Sequence, residues 1–224
     1  MITLSESWRS TYPNASLGII AMRNVSNPQS HEALALLKES LERELRTHYA
    51  GYDRERFRTH PMLASYHSYY KRFKKTYHVQ LQLESIVLKG KSLPQAAALV
   101  EAMFMAELKH LMLTAGHDLD KVELPVTLDV AEGHERYVRL NGQEQGLKAK
   151  DMMISDARGI LSCIIYGPDQ RTKIMPSTIR VLFTVYGTTG IHPSDLYTHL
   201  ETIRENVMVV SPEAEVELQE VYRA

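Results

Sequence analysis

The chain lacks the features that identify several large classes of protein. Its 224 residues include one cysteine, Cys163, which excludes an internal disulfide and fits a reducing compartment. No stretch approaches the roughly 18 apolar residues of a membrane span, and the N-terminus has no basic region followed by an apolar one. The formal net charge is −1, so no overall field attracts nucleic acid and DNA is not an expected partner. These absences predict a cytoplasmic protein without a signal peptide, in which any basic surface is local.

Motifs for common kinds of catalysis and cofactor binding are missing as well. There is no phosphate-binding GxxxxGK[ST] loop, no GxGxxG after a strand, no GxSxG nucleophile turn and no HExxH pair. Histidines occur seven apart in three places, but Gly116 and Pro193 interrupt two of them. The acidic stretch at residues 118–120 lacks the glycine of a calcium loop. We therefore expect no metal site, no cofactor and no ATP site.

Residues 88–120 stand out as a long apolar stretch. Ser92 and Gln95 have the spacing of a helix-capping box, and nearly unbroken apolar sequence follows. The apolar surface is wide, which predicts a helix buried on more than one side. This helix is expected to end at residues 114–116 and to lead into an acidic turn at residues 117–121, forming one wall of a pocket.

The other patterns predict helices first and a mostly antiparallel sheet afterwards. Helical periodicity covers residues 31–50 and 193–206, and strand patterns cover residues 16–25, 126–130, 152–155, 160–166 and 180–186. Cys163 lies within one of these strands, so it is expected to be buried. The tail at residues 212–224 is acidic and is expected to form a short helix. The order of the elements predicts one α+β domain over residues 1–224.

An aromatic and basic run at residues 66–78 (YHSYYKRFKKTYH) allows two interpretations. Rings beside cations are what single-stranded or hairpin RNA binding uses. The alternative is an amphipathic helix whose rings pack inward while its cations are solvated.

A second polar cluster lies at residues 156–180. Gly167 and Pro168 follow a strand pattern, and arginine, lysine and hydroxyl side chains come next, which suits a phosphate or a ribose. The alternative is a polar surface loop between two strands.

Several of these motifs, in this order, resemble the editing domain of the bacterial phenylalanyl-tRNA synthetase beta subunit. The similarity is strongest over residues 62–187. The stretches that carry it are residues 88–94 (LKGKSLP), 99–101 (LVE), 118–121 (DLDK), 126–131 (VTLDVA), Asp156, and 171–178 (RTKIMPST) running into 181–183 (VLF).

The resemblance implies a central, mostly antiparallel sheet with helices around it, and a pocket that hydrolyses mischarged tRNA. In that family a positioned water, helped by the ribose hydroxyl of the tRNA, is thought to replace a side-chain base. Gly167, Asp169 and His117 are then pocket candidates. The family's pocket histidine aligns on Ala115 and an asparagine of its central helix on Phe104.

The resemblance also suggests which residues contact the tRNA end. These are Arg171, Thr172, Lys173, Thr178, Arg180, Lys89 and Lys91. The implied function is an aminoacyl-tRNA deacylase acting in trans, with mischarged tRNA as its partner and no ability to charge tRNA itself. The alternative is a non-catalytic module that binds tRNA, another RNA or an amino acid. The sequence indicates neither the amino acid and tRNA recognised nor the oligomeric state.

Overall fold

The fold combines helices with three antiparallel or mixed sheets, and a computed structural model describes residues 2–224. Within these residues the helices are α1 (Glu6–Thr11), α2 (Glu32–His48), α3 (Arg54–Thr59), α4 (Pro61–Arg72), α5 (His78–Lys89), α6 (Ala98–His110) and α7 (Pro193–Val210). The strands are β1 (Ile2–Leu4), β2 (Ser16–Arg23), β3 (Thr114–Asp118), β4 (Val126–Val130), β5 (Arg136–Val138), β6 (Glu144–Gly146), β7 (Met152–Asp156), β8 (Gly159–Cys163), β9 (Gly167–Pro168), β10 (Arg180–Gly187) and β11 (Glu215–Arg223).

The strands form a five-stranded sheet in the order β1-β4-β7-β8-β9, a four-stranded sheet in the order β11-β2-β10-β3, and the hairpin β5-β6. Strand β1 pairs with β4 in parallel, and the other pairings are antiparallel. The predicted α+β class with a mostly antiparallel sheet is confirmed.

The four-stranded sheet lies at the centre of the main hydrophobic core. Its inner strands β2 and β10 are buried almost throughout, as their runs of aliphatic and aromatic residues predict. On one face, α7 packs so closely that a Cβ on Gly18 would lie 3.3 Å from a methyl of Leu200. A smaller second cluster of apolar side chains, which includes Tyr137 and Cys163, lies between the β5-β6 hairpin and β8. Cys163 is therefore buried, as predicted.

The central stretch is shorter and less uniform than predicted. Helix α6 begins after Ala97, so the expected capping box at Ser92 and Gln95 does not form. The helix ends because Leu111 adopts a left-handed backbone (φ 59°). Residues 114–118 are not the end of a helix and a turn but the strand β3, which pairs with β10. Helix α6 is buried along most of its length, as its wide apolar surface predicts.

The C-terminal tail is also different from the prediction. Residues Glu215–Arg223 form β11 rather than a helix, and this strand pairs with β2 along its length. The open edge of β2 offers unpaired backbone groups, and a second strand satisfies them. The tail's mixture of polar and apolar residues is compatible with either structure, so a partner far away in the sequence decides between them.

Candidate functional site

The aromatic rings of residues 66–78 point into the protein. Tyr66, Tyr69, Tyr70, Phe73 and Tyr77 are all buried. Tyr66 and Tyr77 stack on each other with 4.3 Å between ring centres. Rings enclosed in this way cannot stack on bases, so the expectation that they supply RNA contacts is wrong. The alternative, in which the rings pack inward and the cations are solvated, is confirmed.

One of these solvated cations reaches the second polar cluster. The Lys75 ammonium lies 5.8 Å from the centre of the Tyr166 ring, and Tyr166 is only half-buried. Gly167, the next residue, has φ +79°, and a Cβ built there would have no atom within 4 Å. The backbone of Arg139 pairs with that of Asp169 beside it. We call Lys75, Arg139, Tyr166 and Gly167 the Tyr166 surface.

The charge at the Tyr166 surface is positive. Burial raises the pKa of the Tyr166 phenol, while the nearby Arg139 charge opposes that rise. Within residues 2–224, neither Lys75 nor Arg139 forms an ion pair with a carboxylate. Lys75, a cation without an acidic partner among these residues, therefore lies over an accessible aromatic ring, and Arg139 adds a second unpaired positive charge to the same region.

A cleft of about 450 Å³ borders the Arg139–Asp169 pairing, with Asp169 in its wall. Three arginines contribute to its wall, and we call it the arginine cleft. Its lining residues are Arg136, Tyr137, Val138, Arg158, Gly159, Ile160, Asp169, Gln170 and Arg171.

Two of these arginines are held only loosely. Arg136 pairs with Glu144 at 3.2 Å and Arg158 with Glu123 at 3.6 Å, and all four side chains are more than half exposed. Such exposed pairs are weak and exchange readily with another anion.

Arg171 is held firmly and forms a fixed part of the wall. Its guanidinium donates to the Lys121 carbonyl at 2.8 Å and to an Asp156 carboxylate oxygen at 2.8 Å. The Asp156 side chain is fully enclosed, so this pair is partly desolvated. Most of the hydrogen-bonding capacity of Arg171 is therefore used within the protein, although the side chain borders the arginine cleft.

Behind the cleft lies a chain of five buried polar side chains. The Thr172 hydroxyl donates to Asp169 and is 2.8 Å from Nδ1 of His117. On the other side of the ring, His117 Nε2 is 3.2 Å from the Ser162 hydroxyl, which is 2.8 Å from the Tyr186 hydroxyl. None of the five is more than 4% exposed. The chain connects β3 and β10 of one sheet to β8 and the loop after β9 of the other.

If the Asp169 carboxylate is ionised, it can only accept, and this fixes which group donates in each hydrogen bond from Asp169 to Ser162. Thr172 donates to Asp169, so it accepts from Nδ1–H of His117, and Nε2 then accepts from Ser162. Burial, reinforced by the Arg171 charge, lowers the pKa of His117 to about 4, so the ring is neutral at pH 7. Burial also raises the pKa of Asp169.

This buried chain has the residue types of a hydrolytic site but not the accessibility. Ser162, His117 and Thr172 are completely enclosed, so no substrate atom can reach them. The expectation that Thr172 contacts the tRNA end and that His117 borders an open pocket is therefore wrong for this structure. Both side chains were predicted from the resemblance to the synthetase domain, and a match of residues does not distinguish an internal hydrogen bond from a contact with a ligand.

The remaining predicted contacts lie in different places. Thr178 is buried and donates to Asp118 at 2.9 Å, which again makes it an internal group. Arg180 donates to Asp120 at 2.9 Å and pairs with Glu217 at 2.8 Å. Lys173 is half-exposed and forms no ion pair with any residue from 2 to 224. Of these three, Lys173 keeps its charge available to a ligand.

Lys89 and Lys91 belong to another part of the surface. Both are exposed at the end of α5, where Lys91 borders a cleft of about 370 Å³ formed mainly by that helix. That cleft shares no residue with the arginine cleft. Ala115 is buried on β3, and Phe104 packs against the main core from α6.

Arg136, Arg139 and Arg158 were not among the predicted site residues. Arg136 and Arg139 precede the Asn141-Gly142 turn, and Arg158 lies in the turn between β7 and β8. Nothing in the local sequence indicates that these turns approach residues 166–171.

Two further features concern possible metals and membranes. Among residues 2–224, no three or more histidine, cysteine, aspartate or glutamate side chains form a group that could hold a metal ion. In the same residues, no helix has the length and apolar character needed to cross a bilayer.

Comparisons with known proteins place the chain in a family. The family model of the B3/4 domain matches residues 65–204, which is more than half of the chain. The fold is similar to a crystal structure of an N-terminal fragment of the phenylalanyl-tRNA synthetase beta subunit from Pyrococcus horikoshii, with a TM-score of 0.50 and 10% identity. That match covers 99% of this chain and 53% of the fragment, so the chain spans about half of the fragment's length. No curated protein matches the sequence. The chain belongs to the B3/4 domain family and is a homologue of that domain of the phenylalanyl-tRNA synthetase beta subunit.

Proposed function

We propose that this protein binds the 3′ end of a mischarged tRNA and hydrolyses its aminoacyl ester, acting on tRNA that another enzyme has charged. The observation that carries the proposal is the meeting of Lys75 with Tyr166. It joins two segments about 90 residues apart, both with the composition of an RNA contact, into one surface. The homologous domain belongs to an enzyme named for its action on tRNA, which supports this choice of ligand.

The Tyr166 surface suits an unpaired nucleotide. A half-exposed ring offers one face on which a base can stack, and Lys75 and Arg139 can bind the adjoining phosphates. Gly167 leaves the space next to the ring open, so a ribose can approach the backbone there. Lys173 is a further candidate for a phosphate contact.

Hydrolysis in this proposal depends on positioning rather than on a side-chain base, because His117 is sealed and neutral. The oxygen of a bound water attacks the ester carbonyl, the bond from the carbonyl carbon to the ribose oxygen breaks, and the ribose oxygen takes up the proton that the water releases. The loosely held Arg136 and Arg158 can turn toward the negative charge that develops on the carbonyl oxygen. The vicinal ribose hydroxyl of the tRNA can orient the water.

Binding is tested with tRNA at several salt concentrations. Tyr166→Leu keeps an apolar side chain but removes the ring, and it should weaken binding by about five- to a hundred-fold, the effect of losing one stacked base. Lys75→Ala should reduce the slope of log K against log salt by about 0.7–0.9, the release of one counterion. Lys71→Ala is the matched control, because Lys71 is an exposed lysine near the end of α4, four residues before Lys75, and of the two only Lys75 lies over the Tyr166 ring.

Unchanged affinity in Tyr166→Leu, together with an unchanged salt slope in Lys75→Ala, would show that this surface does not bind tRNA. Catalysis is tested separately by adding the protein to a panel of tRNAs charged in advance with wrong amino acids and measuring the release of each amino acid. Release above the spontaneous rate that is lost in Tyr166→Leu is the expected result.

A non-catalytic tRNA-binding module is the second candidate function, and one observation favours it. The residues of hydrolytic type, Ser162, His117 and Asp169, are all engaged with one another and enclosed. Binding that depends on Tyr166, without release of any amino acid, would support this candidate and exclude the deacylase.

A further inference from the structure

A second polar cleft lies between α1, α4 and the turn after β10, and it shares no residue with the Tyr166 surface or the arginine cleft. Its volume is about 270 Å³, and eight residues line it. Seven of the eight carry a hydroxyl group and the eighth is Arg72, so no carboxylate faces the cleft. We call it the Arg72 cleft. The hydroxyls of Tyr12 and Tyr69 bond to Lys150 and Asp151 inside the protein, which leaves five serine and threonine hydroxyls in the wall. One cation and five hydroxyls suit a ligand that is rich in oxygen and negatively charged.

Arg72 has no acidic partner and is held in place by aromatic rings. Its guanidinium carbon lies 4.4 Å from the centre of the Tyr69 ring and 5.1 Å from that of Tyr12. No carboxylate of residues 2–224 comes within ion-pair distance of it. The Arg72 Nε donates to the Tyr69 carbonyl at 3.5 Å, and stacking against the rings further holds the guanidinium. The two terminal nitrogens keep their N–H groups for a ligand, and arginine can bind phosphate through two parallel bonds from such a pair.

The Thr188 hydroxyl is the second, independent indication of a ligand. Thr188 is 2% exposed and lines the Arg72 cleft, yet its hydroxyl has no hydrogen-bond partner among the described residues. A buried hydroxyl without a partner destabilises a fold. Because Thr188 lines the cleft, rotation about its Cα–Cβ bond would turn the hydroxyl toward the cleft, where a ligand atom would satisfy it.

The other hydroxyls differ in what they can offer. Ser65 and Ser68 donate to backbone carbonyls of their own helix at 3.2 and 2.9 Å, so their remaining lone pairs accept from a ligand. The cleft thus presents donors at Arg72 and Thr188 and acceptors along α4. A bare oxyanion would use only the donors, whereas a sugar phosphate uses both.

The buried carboxylate of Asp151 is not an ion-pair partner of Arg72. The Asp151 carboxylate accepts from the Tyr69 hydroxyl at 2.7 Å and from the Ile165 amide at 3.2 Å, and the residue is completely enclosed. Burial raises the pKa of Asp151 to about 6, and the Arg72 charge is only a minor influence in the opposite direction. Asp151 therefore has its own partners and does not occupy the guanidinium.

From these observations we infer that the Arg72 cleft binds a ribose phosphate, with the phosphate on Arg72 and the Thr188 hydroxyl and the sugar hydroxyls along α4. The volume is below the range of about 300–1,000 Å³ that holds drug-sized ligands, which fits one sugar phosphate rather than a longer nucleotide chain. The same group occurs in a free nucleotide and at the end of an RNA strand. The site goes beyond the proposed function, since it lies on different residues.

The test is calorimetric titration with ribose 5-phosphate, with AMP and with a short single-stranded RNA that ends in a 5′-phosphate. Ribose 5-phosphate is expected to bind, and Arg72→Gln to weaken it by about tenfold or more, the effect of losing a charge-assisted hydrogen bond. Arg58→Gln is the matched control, because Arg58 is an exposed arginine of α3 away from the cleft. Tyr166→Leu should leave this binding unchanged, which separates it from the proposed tRNA surface.

Thr188→Val distinguishes a binding role from a structural one. Because the hydroxyl has no partner in the unliganded protein, its removal should leave the melting temperature equal or higher, while ribose 5-phosphate binding weakens by about three- to tenfold. AMP binding without RNA binding would identify a free nucleotide as the ligand, and binding of both would identify the terminal group shared by the two. Failure of ribose 5-phosphate to bind, or equal binding by Thr188→Val and the parent, overturns the inference.

Discussion

The buried polar chain predicts that one hydroxyl group contributes strongly to stability. Thr172→Val replaces the hydroxyl with a methyl group of similar size, so the packing around the fully buried residue is retained. The change removes the bond to Asp169 and leaves Nδ1–H of His117 without an acceptor. Asp169 keeps the backbone amide of Thr172 at 3.2 Å and the Arg171 guanidinium at 3.7 Å.

The loss of stability in Thr172→Val follows from the missing bond to Asp169 and from the His117 N–H that is left without an acceptor. A hydrogen bond to a charged group contributes about 1.5–3 kcal/mol, and an unsatisfied buried N–H costs about 1–3 kcal/mol. The two estimates overlap because the groups share one hydroxyl, so we expect a loss of about 3 kcal/mol. Thr184→Val is the matched control. Thr184 is also fully buried in the sheet, but its hydroxyl reaches the Ala115 carbonyl only at 3.5 Å, so its loss should cost less than about 1 kcal/mol.

Urea unfolding measures both variants. With an m-value of about 2 kcal/mol/M, the Thr172→Val midpoint should fall by about 1.5 M and the Thr184→Val midpoint by about 0.5 M or less. The m-values should stay the same, since neither change alters the surface exposed on unfolding. Equal midpoints for the two variants would refute the conclusion that the chain from Asp169 to Tyr186 holds the two sheets together.

Two further predictions concern buried charges. Burial raises the pKa of Glu107 to about 8 from its usual value of 4.5, so the folded protein keeps a proton that the unfolded chain has released, and this contribution to stability is lost as the pH rises toward 8. The free energy of unfolding of the parent should therefore fall between pH 6.5 and 8 by about 1–2 kcal/mol more than that of Glu107→Gln. Urea midpoints measured at each pH test this. The same change of midpoint with pH in the variant and the parent would contradict it. Arg171→Met leaves the enclosed carboxylate of Asp156 unpaired and should cost about 2–4 kcal/mol, whereas Arg136→Met at an exposed pair should cost less than about 1 kcal/mol. Similar melting temperatures for these two methionine variants would show that the Asp156 pair contributes little.

Helices and strands with a strong local pattern could be predicted from the sequence, because burial determines their composition. The apolar runs of β2 and β10 are buried on both faces, so burial alone accounts for their composition. The apolar surface of α6 likewise required a helix surrounded by other elements. The prediction of a helix for the tail was wrong because β11 depends on the free edge of β2, about 200 residues earlier in the chain.

The candidate site was predictable only in part. Lys75 and Tyr166 each lie in a segment with the composition of an RNA contact, but their proximity depends on where the turn after α4 meets the segment between β8 and β9. Thr172 and Thr178 had the residue types expected of a ligand contact and are instead donors to buried carboxylates. A hydroxyl that binds a phosphate and one that binds a buried aspartate have the same local sequence.

Local order along the chain was therefore sufficient for the α+β class, the main strands and the resemblance to a synthetase domain, because short-range periodicity and motif order are properties of neighbouring residues. Which polar groups are enclosed and which face solvent was decided by the tertiary structure alone. The reason is that each such group takes its partner from a distant segment: His117 from residues 162 and 172, and Lys75 from residue 166. Arg72 and Thr188, more than 100 residues apart, come together for the same reason.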